Sequence, residues 1–192
     1  MSERFDQIKE FYQGDSTSAG VLRDLVSVAK ILIVFMILSQ ILFGTWAPMR
    51  AIESGSMEPH MKLGDIVFIK DISRTNVVTR EEGATSDYRT FGDYGNVILY
   101  RKYGSTAETP IIHRAMYHVE AGEPMWNGGP VAPNAGYITK GDHNKVIDQY
   151  GLCTEPIREE WVIGVARYRI PYAGHVRLEV SKAIKWIADK FR

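Results

Sequence analysis

The stretch ILIVFMILSQILFGTWAPM, residues 31–49, decides how the chain is organised, because it carries no charged side chain. As a helix it would span about 28 Å, close to the roughly 30 Å hydrocarbon core of a bilayer. Lys30 before it and Trp46 near its end are typical of membrane interfaces. The pattern predicts a membrane anchor over residues 30–49. The alternatives are a buried helix of a soluble core and a cleaved secretory signal, which the predicted polar tail, residues 1–29, disfavours.

The composition limits the classes of function. The 192 residues include 23 basic and 23 acidic side chains, so the net charge is zero and nothing points to nucleic acid as a partner. The single cysteine, Cys153, excludes an intrachain disulfide and a cysteine zinc site. The histidines and carboxylates lack the spacing of metal ligands, so the sequence predicts neither a metal nor another cofactor.

Beyond the anchor, short apolar stretches alternate with turn-rich ones, which is typical of a β domain. Alternation or β-branched content marks five strand segments: residues 65–70, 96–100, 109–120, 136–140 and 161–170. Residues 50–174 are therefore predicted to form one mainly β domain.

Two long loops, residues 74–95 and 121–136, separate some of these strands, and loops of this length are usually functional. The closing segment HVRLEVSKAIKWIADKFR, residues 175–192, has apolar residues near helical spacing with basic residues between them. It predicts a C-terminal amphipathic helix that either packs on the β domain or lies on the membrane surface.

A candidate nucleophile follows the anchor almost at once, in AIESGSMEPHMKLGDIVFIK, residues 51–70. Ser56 stands directly after Gly55, and glycine allows a tight backbone path from which a hydroxyl can project. A serine needs a base within hydrogen-bond reach before it acts as a nucleophile. By itself, the Ser-Gly-Ser pattern is also typical of an ordinary loop.

The chain offers few groups that could activate this serine. His113 lies in an otherwise apolar strand, where it is either a satisfied core residue or a general base that the strand holds in place. Asp142 and Asp148 follow another strand, and either one could orient the imidazole or cap a turn. Lys62 and Lys140 are alternative bases for a Ser-Lys pair.

These segments together resemble the type I signal peptidases. Residues 54–59, SGSMEP, resemble the nucleophile box of that family. Residues 112–114 and 140–148 resemble the later boxes of its archaeal and endoplasmic-reticulum branch, and residues 169–174 resemble the closing segment. The boxes occur in order over roughly residues 28–175, which is far more specific than any single box.

The resemblance implies a role for each candidate residue. Ser56 would be the nucleophile, His113 the general base and Asp148 the aspartate that orients the histidine. Asp142 would support the architecture of the site. Ser54 would assist the backbone N–H of Ser56 in an oxyanion hole.

The resemblance also implies a function, a location and partners. The expected protein is a membrane-bound serine endopeptidase that removes signal peptides from exported preproteins and cuts after small residues. Its expected fold is a signal-peptidase-like β domain with one N-terminal transmembrane helix. Its expected location is the cell membrane, as a single-pass protein. Because the basic residues Arg4, Lys9, Arg23 and Lys30 precede the anchor, the positive-inside rule favours a cytoplasmic N-terminus and an extracytoplasmic catalytic domain. The expected partners are the signal peptide, membrane lipid and proteins of the secretion machinery.

Two other interpretations stay open. One is a catalytically inactive, membrane-anchored β-domain scaffold subunit, which would be expected to have lost Ser56, His113 or Asp148. The other is a soluble self-cleaving repressor with a Ser-Lys pair. A repressor would need an N-terminal DNA-binding domain, which residues 1–30 are too short to form.

Overall fold

The computed structural model describes residues 17–173, which fall into two compact units divided between Leu42 and Phe43. Within the described residues, the first unit is helical and the second contains the strands. The predicted amphipathic helix over residues 175–192 lies outside the described residues, as does most of the predicted N-terminal tail.

Helix α1, Thr17–Phe43, has 27 residues and is therefore about 40 Å long. It is the one helix among residues 17–173 that is long and apolar enough to cross a membrane. Apolar side chains along it, such as Ile33 and Leu42, are more than half exposed. The helix begins before the predicted anchor, because residues outside that anchor, such as Arg23, also have a high helix propensity. It ends where Gly44 adopts a φ of +75°, a common way for a helix to stop.

In its described part, residues 43–173, the second unit contains a short α-helix and eight strands. The helix, α2, is Arg80–Ser86, and the strands in chain order are β1 Met49–Ala51, β2 Ile66–Asp71, β3 Arg89–Thr90, β4 Asp93–Tyr94, β5 Val97–Tyr100, β6 Ile111–Val119, β7 Gly136–Lys140 and β8 Val162–Ile170. Strands β3 and β4 form a separate hairpin. The other six form one antiparallel sheet in the order β1-β2-β8-β5-β6-β7.

The five predicted strand segments match β2, β5, β6, β7 and β8 to within two residues at each end. The prediction of a mainly β fold with one N-terminal apolar helix is therefore confirmed. All four residues of β5 are buried: Val97 and Leu99 lie in one core cluster, and Ile98 and Tyr100 lie in a second one. Because both faces of this strand are covered, it is continuously apolar rather than alternating. Strand β1 was not predicted, because three residues are too few to show an alternation of apolar and polar side chains.

The hydrophobic core fixes the loop that carries Ser56. Ile52, Met57 and Met61 lie on either side of this serine and are almost completely buried, in one cluster with residues of β2, β5 and β8. Burying each of these side chains contributes about 1.5–3 kcal/mol. The serine is therefore held between apolar side chains that are part of the core of the sheet.

The first long loop, residues 74–95, has structure of its own. A capping box starts α2, because the Thr79 side chain accepts from the Glu82 N–H while the Glu82 carboxylate accepts from the Thr79 N–H. Gly83 packs against the backbone that follows the β3–β4 hairpin, since a Cβ here would lie 2.4 Å from the Gly95 nitrogen. Helix α2 also contacts β6, so the loop is folded onto the sheet.

Candidate active site

Ser56, His113 and Asp148 come from distant parts of the chain and meet in one hydrogen-bonded row. The Ser56 Oγ lies 2.9 Å from the His113 Nε2, and the His113 Nδ1 lies 2.7 Å from the Asp148 Oδ2. His113 and Asp148 are only 4% and 3% exposed. With its Nδ1–H donated to the carboxylate, the imidazole has its Nε2 free to accept from the serine hydroxyl. The row has the order nucleophile, base and orienting carboxylate.

The fold holds each member of the row differently. Ser56 lies in the turn between β1 and β2, and its carbonyl oxygen accepts from the His143 N–H at 2.9 Å. A Cβ on Gly141 would lie 2.6 Å from that same oxygen, so the turn at residues 141–144 needs glycine to approach so closely. His113 is in β6, and Asp148 begins a 3₁₀ turn that ends at Tyr150.

Two residues that the sequence reasoning missed complete the surroundings of Asp148. The Thr139 hydroxyl donates to the Asp148 Oδ2 at 2.6 Å, and the Tyr100 hydroxyl donates to the same oxygen at 3.0 Å. Burial, together with the adjacent carboxylate, raises the pKa of Tyr100 well above its ordinary value, so this phenol stays a donor. Three donors, counting His113, therefore converge on one carboxylate oxygen.

Asp142 lies outside this row and has a different set of partners. Its Oδ1 accepts from the Arg114 Nε at 2.8 Å, and its Oδ2 accepts from the Arg114 Nη2 at 2.7 Å. The His60 Nδ1 also lies 2.7 Å from the Asp142 Oδ2. Of the two candidate aspartates, the one in contact with the His113 imidazole is therefore Asp148.

Arg114 was also missed, although an arginine inside an apolar strand directly after His113 is a visible signal. It is completely buried, and its Nη1 donates to the carbonyl oxygens of Thr90, Tyr94 and Gly95 at 3.1–3.2 Å. Together with the pair to Asp142, these bonds join β6 to the β3–β4 hairpin and to the turn beside Ser56.

Replacing Arg114 with leucine is expected to lower the free energy of unfolding by about 3–5 kcal/mol, because the buried Asp142 loses its paired charge. Urea unfolding of the detergent-solubilised chain, followed by tryptophan fluorescence, measures the change. Arg80→Leu is the matched control. The Arg80–Asp93 pair is partly exposed, at 43% and 28%, so this variant is expected to lose no more than about 1 kcal/mol. Equal losses in the two variants would contradict the prediction.

The remaining predicted residues lie around the serine. The Ser54 Oγ is 3.2 Å from the Ser56 Oγ, and Ser54 is exposed. Within residues 17–173, the Ser56 backbone N–H donates to no protein acceptor, and neither Lys62 nor Lys140 is hydrogen-bonded to the Ser56 hydroxyl. In the part of the chain that the structure describes, His113 is thus the base in contact with this serine.

A groove of about 740 Å³ opens beside the serine. Edge strand β1 contributes to its wall, and other side chains that line it are Ser54, Ser56, Leu99, Ile112, His113 and Leu152. This volume is in the range of sites that bind small molecules or short peptide segments. Over the same described residues, no group of three or more His, Cys, Asp or Glu side chains is arranged to hold a metal ion.

The fold and the site define a class: a mainly β domain that follows an apolar helix and carries a Ser-His-Asp hydrogen-bonded row beside a groove. No family model matches the chain. Relatives of the chain include proteins that are named as catalytic subunits of signal peptidase complexes. SEC11 of Pyricularia oryzae is 28% identical over 138 residues, or 71% of this chain and 65% of that protein. SEC11C of Homo sapiens is 29% identical over 141 residues, or 72% of this chain and 59% of that protein.

The predicted resemblance to the endoplasmic-reticulum branch of the type I signal peptidases is therefore confirmed. Over most of its length, this chain has homologues that are named as signal peptidase complex catalytic subunits, at 26–29% identity. It spans less than two thirds of the length of the Pyricularia and human relatives.

Proposed function

We propose that this chain is a membrane-bound serine endopeptidase that removes N-terminal signal peptides from exported preproteins by cutting after small residues. The observation that supports this most directly is the contact of 2.9 Å between the Ser56 hydroxyl and the buried His113 imidazole. The names of the relatives support the substrate class. We assign the roles of nucleophile, general base and orienting carboxylate to Ser56, His113 and Asp148.

The first step is acylation of the serine. As the Ser56 Oγ attacks the carbonyl carbon of the last signal-peptide residue, its proton passes to the His113 Nε2. The Asp148 carboxylate stabilises the imidazolium that forms. The free backbone N–H of Ser56 and the neighbouring Ser54 hydroxyl are donors for the oxyanion, and a well-placed donor contributes about 3–4 kcal/mol.

Acylation ends when the imidazolium of His113 gives its proton to the leaving amine, so the C–N bond breaks and the mature protein departs with a free N-terminus. The second step, deacylation, releases the signal peptide. A water molecule then gives a proton to the same imidazole as it attacks the Ser56 ester. When the ester breaks, the serine recovers its proton and the signal peptide leaves with a new carboxylate.

The groove suits an extended segment of the substrate. Edge strand β1 has an unpaired side, and an extended peptide can add to such an edge through main-chain hydrogen bonds. Apolar side chains such as Ile112 and Leu152 would then face the residues on either side of the scissile bond. If α1 and the apolar helix of a signal peptide lie in one bilayer, the shared membrane raises their effective concentration.

The location and the partners belong to the same proposal. We assign the chain to the cell membrane as a single-pass protein, with its N-terminus in the cytoplasm and its β domain outside. Membrane lipid and other secretion proteins are the proposed partners, because the relatives are named as subunits of a complex. The inactive scaffold is the alternative function, and the presence of all three residues of the row argues against it.

Incubating the detergent-solubilised chain with a preprotein tests the proposal. The wild-type chain is expected to convert the preprotein to a shorter product, whose new N-terminus mass spectrometry identifies. Ser56→Ala is expected to leave the preprotein intact, while Ser86→Ala, which changes an exposed serine at the end of α2, is expected to cut normally. A folded wild-type chain that does not cut, or a Ser56→Ala chain that cuts at the same rate, would refute the proposed function.

A further inference from the structure

His60 is a titratable residue four positions after Ser56, and the proposed mechanism does not use it. Its imidazole Nδ1 lies 2.7 Å from the Asp142 Oδ2. The His60 side chain is 27% exposed and the Asp142 side chain is 6% exposed. A hydrogen bond to a buried carboxylate at this distance is stronger than one between two neutral groups.

The partner of His60 is itself fixed to the strand that carries the base. Arg114 directly follows His113 in β6, and it holds both oxygens of Asp142 at 2.7–2.8 Å. A bidentate contact of this kind defines the position and the plane of the carboxylate. The imidazole of His60 therefore joins the nucleophile loop to the same strand that positions His113.

Backbone hydrogen bonds connect His60 to the turn that contains Ser56. The Glu58 N–H donates to the Gly55 carbonyl at 3.1 Å, and the His60 N–H donates to the Met57 carbonyl at 3.0 Å. The His60 carbonyl in turn accepts from the Arg169 Nη1 at 2.6 Å. A shift at His60 would therefore move the turn in which Ser56 lies.

The ring of His60 is also in close contact with the bend of the β3–β4 hairpin. A Cβ on Gly92 would lie 2.7 Å from the His60 Cδ2, and Gly92 has a φ of +83°, which favours glycine. His60 is absent from the lining of the groove. Its side chain therefore contacts the β3–β4 hairpin and Asp142 rather than the groove in which a substrate would lie.

We propose that His60 is a positioning residue, whose hydrogen bond to Asp142 sets the placement of the Ser56 hydroxyl relative to the His113 imidazole. The inference rests on the proposed function, because it concerns the rate of acyl transfer at Ser56. Misplacing reacting groups by about 1 Å can cost a factor of about 100 in rate. Because His60 does not face the groove, its loss should lower kcat and leave KM unchanged.

Two substitutions separate the hydrogen bond from the packing of the ring. His60→Phe keeps a ring against Gly92 but removes the donor, and it is expected to lower kcat for preprotein cleavage about 10- to 100-fold, with KM within about twofold. His60→Asn puts an amide nitrogen near the place of Nδ1, and it is expected to keep kcat within about threefold of wild type. His118→Phe, on the exposed side of β6, is the matched control and is expected to behave as wild type.

A second measurement does not need a preprotein. The rate at which diisopropyl fluorophosphate labels Ser56, located by mass spectrometry, is expected to fall in His60→Phe and to recover in His60→Asn. Equal labelling of Ser56 in wild type and His60→Phe, a wild-type kcat in His60→Phe, or an equally low kcat in His60→Asn would overturn the role of His60. Absence of preprotein cleavage by the wild-type chain would instead refute the proposed function, and the labelling rates would still decide the role of His60.

Discussion

Alanine in place of His113 is expected to lower kcat/KM for preprotein cleavage by about 10⁶-fold, and adding Ser56→Ala to the same chain is expected to lower it no further. The reason is the single proton transfer that the two residues share across 2.9 Å. Without the imidazole the hydroxyl is not activated, and without the hydroxyl the imidazole has no proton to take. Their contributions are therefore expected to be far from additive.

Single-turnover cleavage measurements on the two single variants and the double variant check this prediction. The control is His118→Ala, which changes an exposed histidine on the same strand and is expected to keep wild-type kcat/KM. Circular dichroism confirms that each variant is folded. If the effects of the two single variants multiply in the double variant, Ser56 and His113 act independently and the proposed mechanism is wrong.

Much of the fold could be predicted because its signals are local. The alternation of side chains between two faces in residues 109–120 predicts β6, and the continuous apolar run at residues 96–100 predicts β5. The anchor was predicted from the absence of charged residues, but charged residues can also lie in a helix. Helix α1 therefore extends over charged residues towards Thr17 and stops at a glycine with positive φ. The predicted domain boundaries stay predictions.

The contacts of the site were harder to predict because they depend on strand register. Ile98 pairs with His113, Tyr100 pairs with Ile111, and Thr139 pairs with Ala115, so Tyr100, His113 and Thr139 share one face of the sheet. A slip of one residue in either pairing would turn one of these side chains to the other face. The sequence does not specify that register, and for this reason Tyr100 and Thr139 were missed.

His60 illustrates the same limit at a longer range. Its spacing from Ser56 is visible in the sequence, but its hydrogen-bond partner, Asp142, is 82 positions further along the chain. Only the fold brings the turn after β7 against the loop before β2. Patterns within one segment therefore identified candidate groups, while their pairing required the tertiary structure.

Removing the carboxylate of Asp148 is the second large effect that we expect, and alanine and asparagine should differ. Asp148→Ala is expected to lower kcat/KM by about 10⁴-fold, because the imidazole loses both its orientation and the charge that stabilises its protonated form. Asparagine could, in principle, turn its amide NH₂ towards His113 and force the wrong tautomer. Here the Thr139 and Tyr100 hydroxyls both point at the Oδ2 position, at 2.6 and 3.0 Å, so an oxygen is strongly favoured there.

Asp148→Asn should therefore keep the tautomer with a proton on Nδ1 and lose only the negative charge, so that kcat/KM falls by about 10²- to 10³-fold. Nitrogen-15 NMR of the imidazole reads the tautomer directly, and kcat/KM is measured on the same sample. Asp87→Asn, at an aspartate whose side chain is 82% exposed, is expected to change neither. A proton on Nε2 in the asparagine variant, or equal losses for asparagine and alanine, would show that the three donors do not fix the oxygen at this position. Additional replacement of Thr139 by valine removes one donor, and it should allow the amide to turn and bring kcat/KM down towards the alanine value.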